Sequence, residues 1–158
     1  MMTIAPASES DVPAIYALVK ALAEYERLSH EVVSTEADIR NSLFGPRPYA
    51  EVVLAKADTE TVGFALFFHN YSTFLGRPGL YLEDLFVKPE WRGRGIGREL
   101  LVALARLAVE RGCGRLEWSV LDWNEPAIGF YKRMGARVMD EWRICRLTGE
   151  ALAEVARS

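Results

Sequence analysis

At 158 residues the chain has the length of one domain, since typical domains hold about 100 to 150 residues and bury most of their apolar surface. A single domain over residues 1–158 is therefore expected. Half of the residues are hydrophobic and 26% are charged, which excludes a disordered or fibrous chain. A formal net charge of −3 argues against nucleic acid as a partner, because such surfaces are normally basic.

The chain opens on Met1-Met2-Thr3-Ile4-Ala5-Pro6, with no basic segment leading into an apolar core, so no secretory signal is expected and the cytoplasm is the expected location. Thr3 to Pro6 reads as a first strand. Ser10-Asp11-Val12-Pro13 then starts a helix by cap-then-proline logic, and Ile15, Leu18, Val19 and Leu22 recur at helical spacing to about Arg27. Its last turn holds Glu24, Tyr25 and Glu26, where acids oppose the helix dipole and cost some stability. After a loop through Val32-Val33, Thr35 to Phe44 reads as a shorter helix ended by Gly45-Pro46. Tyr49 to Ala57 and Thr61 to Asn70 flank Asp58-Thr59-Glu60 as a hairpin.

Leu80 to Val87 is the next strand. Glu83 and Asp84 sit in it side by side, and strict alternation would point them to opposite faces. A helix beginning near Ile96 carries Leu100, Leu104, Leu107 and Ala108 on one stripe, and Gly112 and Gly114 end it. Arg115 to Val120 should return as a parallel strand through a right-handed crossover. Asn124 caps a fourth helix with Pro126 in its first turn, ending near Gly135. Arg137 to Asp140 and Trp142 to Leu147 read as two more strands, and a tail helix starts at Thr148. No apolar run approaches the ~20 residues that would span a bilayer, so no membrane association is expected. Cys113 and Cys145 lack metal-ligand spacing and are expected to pack in or near the core as free thiols; no metal is expected. His30 and His69 have no partners in sequence and receive no role, while Trp91, Trp123 and Trp142 are expected to pack beside the loops.

The densest signal is Lys88-Pro89-Glu90-Trp91-Arg92-Gly93-Arg94-Gly95-Ile96-Gly97-Arg98. An apolar strand enters a glycine-rich turn that opens into an amphipathic helix, so consecutive N–H groups can converge on an anion at the positive end of the helix dipole. Arg92, Arg94 and Arg98 bring positive charge to the same place. A Gly-x-x-x-x-Gly-Lys-Ser/Thr loop is excluded, since neither lysine nor hydroxyl follows Gly97. A dinucleotide turn would require glycine at Arg98, although Asp122 could serve as its ribose-binding acid.

Arg92-Gly93-Arg94-Gly95-Ile96-Gly97 matches the Arg/Gln-x-x-Gly-x-Gly/Ala signature of the GCN5-related N-acetyltransferase (GNAT) superfamily. It sits among longer matches: Tyr81-Leu82-Glu83-Asp84-Leu85-Phe86-Val87, Leu121-Asp122-Trp123-Asn124-Glu125-Pro126-Ala127 and Phe130-Tyr131-Lys132-Arg133-Met134-Gly135-Ala136. From about Ile4 to Glu150 the chain resembles the diamine acetyltransferase branch, the spermidine/spermine N-acetyltransferases and their bacterial relatives. The resemblance implies an α/β (α+β) fold with a mixed, mostly antiparallel sheet of six to seven strands flanked by helices, in which one parallel pair splays apart.

It also implies the chemistry. Acetyl-CoA would be the cosubstrate, its diphosphate on residues 92–98 and its pantetheine arm along Leu85, Phe86 and Val87, with Asn124 and Ala127 on the other side. By the same resemblance Tyr131 would protonate the leaving sulfur and Glu83 would bind and deprotonate the acceptor through water. Tyr25 and Glu26 would hold the far amine. An unperturbed phenol, with its pKa near ~10, is protonated at neutral pH and suits the first role; Tyr131 also lies seven residues after Asn124, on roughly the same helix face. The expected acceptor is a small cationic primary amine, either a diamine or polyamine or a lysine-like amino acid such as thialysine. Acceptance of a protein or aminoglycoside amine, and a non-catalytic acyl-CoA-binding module, stand as alternatives. Relatives pair as homodimers through their C-terminal strands, and Arg143 to Leu147 has the apolar content for that.

Overall fold

The computed structural model describes residues 1–158. The chain divides into two compact units, Met1–Ser119 and Val120–Ser158. The first holds the entire sheet: β1 (Met2–Pro6), β2 (Glu51–Ala57), β3 (Glu60–Ser72), β4 (Arg77–Val87) and β5 (Leu116–Trp118), hydrogen-bonded in that order. Every neighbouring pair is antiparallel except β4 and β5. Helices α1 (Val12–Tyr25), α2 (Glu36–Phe44) and α3 (Ile96–Glu110) complete this unit.

Helix α1 buries Val12, Ile15, Leu18 and Leu22, the stripe read from its spacing. Ile15, Leu18 and Leu22 join Leu43 of α2 and Val52, Leu54, Phe64 and Phe86 of the strands in one apolar layer. Helix α3 buries Ile96, Leu100, Leu101, Leu104 and Ala108. Thr35 caps α2 by accepting from the Asp38 amide, and the Asp38 carboxylate accepts in return from the Thr35 amide. The β2–β3 hairpin turns at Asp58, a left-handed residue with φ 54°.

A break in register shapes β4. Phe67 faces Leu82 and Leu66 faces Asp84, so Glu83 is an extra residue on β4. Such a bulge reverses the alternation beyond it. Phe86 accordingly joins the α1 layer opposite Phe64, although strict alternation would put it on one face with Leu80 and Leu82. The parallel pairing of β4 with β5 ends at Leu82↔Trp118, while β4 runs on to Val87. Residues 83 to 87 therefore pair with β3 alone.

The second unit carries α4 (Glu125–Arg133) and α5 (Gly149–Arg157), both placed as the sequence indicates. Two expected strands are corrected: Arg137 to Asp140 and Trp142 to Leu147 form none, and the sheet has five strands instead of six to seven. A strand exists through its ladder, and this stretch has no ladder partner in the chain. All of its residues are exposed. Two smaller expectations change with it: Cys145 is exposed, with only Cys113 half-buried, and Trp142 stands 74% exposed instead of packed.

Candidate active site

The glycine turn has the geometry of an anion cradle. Gly93 and Gly95 adopt φ of 78° and 80°, left-handed values that L side chains resist. Gly95 is the N-cap of α3, and the first helical bond of that end runs from the Glu99 N–H to the Gly95 carbonyl. The amides of Ile96, Gly97 and Arg98 precede it and, as at any helix start, have no intrahelical acceptor. Gly97 adds a steric argument: a Cβ there would touch only the Val87 Cγ2 at 3.9 Å. The packing of the protein does not require glycine at this position, so the missing side chain leaves room for a bulky anion. Successive amides around left-handed glycines form a nest suited to phosphate oxygens, and the residues present fit a diphosphate.

The three arginines differ in what they do. The Arg98 side chain is exposed, 4.0 Å from Glu99. Arg94 lies over the Trp91 ring at 4.6 Å and donates to the Glu90 carbonyl at 3.4 Å. Arg92 does not hang free beside the loop: its Nε donates to the Val87 carbonyl at 2.9 Å, and its guanidinium lies 4.8 Å from the Tyr25 ring centre and 5.2 Å from that of Phe86.

The acceptor candidates gather at the bulge. Glu83 is exposed, while Asp84 and Glu26 are half-buried. Burial, and then the charge of Glu83, raise the Glu26 carboxyl above its ordinary range. Burial, reinforced by Glu83 and Glu26, pushes Asp84 up to about 7. Asp84, opposite Leu66, shares the face of Phe64 and Phe86 that α1 covers, and Glu83, the extra residue of the bulge, breaks the strict alternation that would divide the two acids. Asp84 is the acid to which the sequence assigned no role in the chemistry. Its signal, a second acid beside Glu83, was visible, but its direction depended on the register.

Tyr25 closes α1. The helix ends with the Leu28 amide donating to the Ala23 carbonyl at 2.8 Å and the Arg27 amide to the Glu24 carbonyl at 3.1 Å. Arg27 takes the left-handed position at φ 62°, where glycine is usual. The Tyr81 hydroxyl of β4 lies 2.7 Å from that of Ser119, the residue just past β5, and Phe68 packs on Tyr81 with ring centres 5.3 Å apart.

In the second unit, Asn124 is buried and caps α4, its Oδ1 accepting from the Ala127 amide at 3.4 Å. Tyr131 packs on Phe130, ring centres 5.4 Å apart. A groove of about 510 Å³ lies elsewhere, lined by residues such as Leu43, Phe44, Tyr49 and Phe68, and it contains none of the expected site residues.

A model of the Acetyltransferase (GNAT) family matches residues 14–136. The chain is 40% identical over 164 residues to the thialysine N-epsilon-acetyltransferase of Bos taurus, covering 97% of this chain and 96% of that protein. It is 36% identical over 194 residues to the L-ornithine N5-acetyltransferase NATA1 of Arabidopsis thaliana, covering 94% and 85%. Among solved structures, the integron cassette protein VCH_CASS6 from the mobile metagenome of V. cholerae superimposes with a TM-score of 0.83 at 26% identity, covering 99% of this chain and 98% of that one. The aminoglycoside acetyltransferase meta-AAC0020 from an uncultured soil sample shares the fold at a TM-score of 0.76 and 18% identity, covering 94% and 95%.

Proposed function

We propose that this chain, which belongs to the acetyltransferase (GNAT) family, acts over residues 1–158 as one acetyl-CoA-dependent N-acetyltransferase of small cationic primary amines. The observation that carries the choice of acceptor is the acidic set at the β4 bulge: Glu83 as its extra residue, Asp84 on the face that α1 covers, and Glu26 at the end of α1. Carboxylates gathered at a half-buried site repel one another unless a cation joins them. A diamine, a polyamine or a lysine-like amino acid supplies that cation, and the thialysine and ornithine acetyltransferase relatives support the class.

Acetyl-CoA would supply an acetyl group activated as a thioester. The amides of residues 92 to 98 would hold its diphosphate, with the guanidinium charges of Arg94 and Arg98 alongside. The edge of Leu85, Phe86 and Val87 left without a β5 partner would hydrogen-bond its pantetheine arm as an added strand. Amine acceptors arrive protonated and must lose a proton before attack. Glu83, exposed at the bulge, accepts that proton through water, while Tyr25 and Glu26 hold the far amine. By the family resemblance, Tyr131 would be the proton donor to the leaving sulfur, with Asn124 and Ala127 as further cofactor contacts.

The unpaired apolar stretch through Trp142, Ile144 and Leu147 fits a homodimer, because side chains this large are normally covered. A cytoplasmic location agrees with two free thiols; no helix is long and apolar enough to cross a membrane.

The test is a panel of ornithine, thialysine, putrescine, spermidine and an aminoglycoside with acetyl-CoA, read by free thiol release. Turnover of small di- and polyamines with little on the aminoglycoside is expected. Binding of acetyl-CoA without turnover of any amine would leave a non-catalytic module instead.

A further inference from the structure

One side chain joins the glycine turn to the end of the helix that carries Tyr25 and Glu26. Arg92 immediately precedes Gly93, the first left-handed residue of the cradle. Its guanidinium lies against Tyr25, the last residue of α1, and Phe86 of β4, and its Nε donates to the Val87 carbonyl at the end of β4. A cation set against two rings with a hydrogen bond to a carbonyl is directional. The α1 end it touches is itself conformationally costly, since Arg27 holds a left-handed φ of 62° two residues beyond Tyr25. Such an end is held by its surroundings.

We infer that Arg92 is a positioning residue that couples the two ligand sites: fixing the glycine turn on a diphosphate fixes Arg92, and through Tyr25 it fixes the helix end that receives the acceptor. This rests on the acetyltransferase reading above. The turn and the contact share one short stretch of chain, so a diphosphate held on the amides that follow Arg92 favours the same turn geometry in which Arg92 reaches Tyr25. Coupling of this kind is reciprocal, so the acceptor must tighten coenzyme binding by the same factor.

Calorimetry tests it with coenzyme A and whichever of ornithine, thialysine and spermidine turns over best. In the unaltered protein we expect the amine to bind about fivefold or more tightly when coenzyme A is present, the low end of ordinary coupling. Arg92→Gln should bring that factor below about twofold, whatever it does to the affinity for coenzyme A alone. Tyr25→Ala should abolish the coupling from the other side, and Tyr25→Phe, which keeps the ring, should retain it. These two variants also decide the matter should Arg92→Gln fail to fold. Hydrogen exchange of the amides of residues 26 to 28 should slow on adding coenzyme A in the unaltered protein and not in Tyr25→Ala. An equal coupling factor in the unaltered protein and in Tyr25→Ala overturns the inference, as does no coupling in the unaltered protein, while leaving the acetyltransferase reading intact. No heat at all from coenzyme A would bring down that reading first and the coupling with it.

Discussion

Asp84 shows how one residue can report on its surroundings. Its carboxyl is lifted from 3.8 to about 7 by burial and by two acidic neighbours, so the folded chain keeps a proton that the unfolded chain releases at lower pH. With more protons bound in the folded state, stability falls as pH rises from about 4 to about 7 and levels off above. A shift of about three units corresponds to about 4 kcal/mol as an upper figure. Asp84→Asn should therefore raise the urea midpoint at pH 8 and change it little at pH 4; equal midpoint shifts at both pH values would remove Asp84 as the source. Tyr131 makes a kinetic prediction. Tyr131→Phe should lower turnover by about 100-fold, the low end of general-acid effects, with coenzyme affinity held, and unchanged thiol release would take the phenol out of the mechanism. The residue identities at this scale were legible in the sequence. The mutual proximity of Glu26, Glu83 and Asp84 was not, because it depends on a register that no local pattern encodes.

At the scale of elements, the glycine turn and the strand before it act together. Gly95→Ala places a Cβ at φ 80°, which costs about 1 to 2 kcal/mol and tilts the amides of the nest. Thermal melting should show the lost stability, and calorimetry a drop of about tenfold in affinity for coenzyme A, as loss of one good anion contact would give. Gly63 lies across from the proposed pantetheine edge. A Cβ there would come within 2.9 Å of the Phe86 carbonyl oxygen and 3.3 Å of the Val87 Cγ2, so β4 must shift. Gly63→Ala should lose about 1 to 3 kcal/mol in denaturant unfolding, the usual cost of overpacking; retention of full stability and coenzyme affinity would show that the strand yields freely. Helices α1 to α5 followed from periodicity and caps, signals that lie within a few turns of chain. The strands after Gly135 did not, since Arg137 to Leu147 has strand composition but no neighbour to complete its ladder.

For the whole molecule, the exposed apolar side chains of Trp142, Ile144, Leu147, Leu152 and Val155 predict self-association. Sedimentation velocity should give a dimer for the natural chain and a monomer for Trp142→Glu, with helix content preserved; a monomer in both would leave that surface for another partner. The sequence by itself determined the segments that become helices, the strand that carries the acids, and the turn whose glycines free a row of amides, because propensity, spacing and backbone freedom are properties of neighbouring residues. The tertiary structure alone decided three things: the bulge at Glu83 that puts Asp84 on the face α1 covers, the rung at which β5 leaves β4, and the lodging of Arg92 against Tyr25. Each depends on distances between residues remote along the chain, and those are fixed only when sheet register and helix packing settle together.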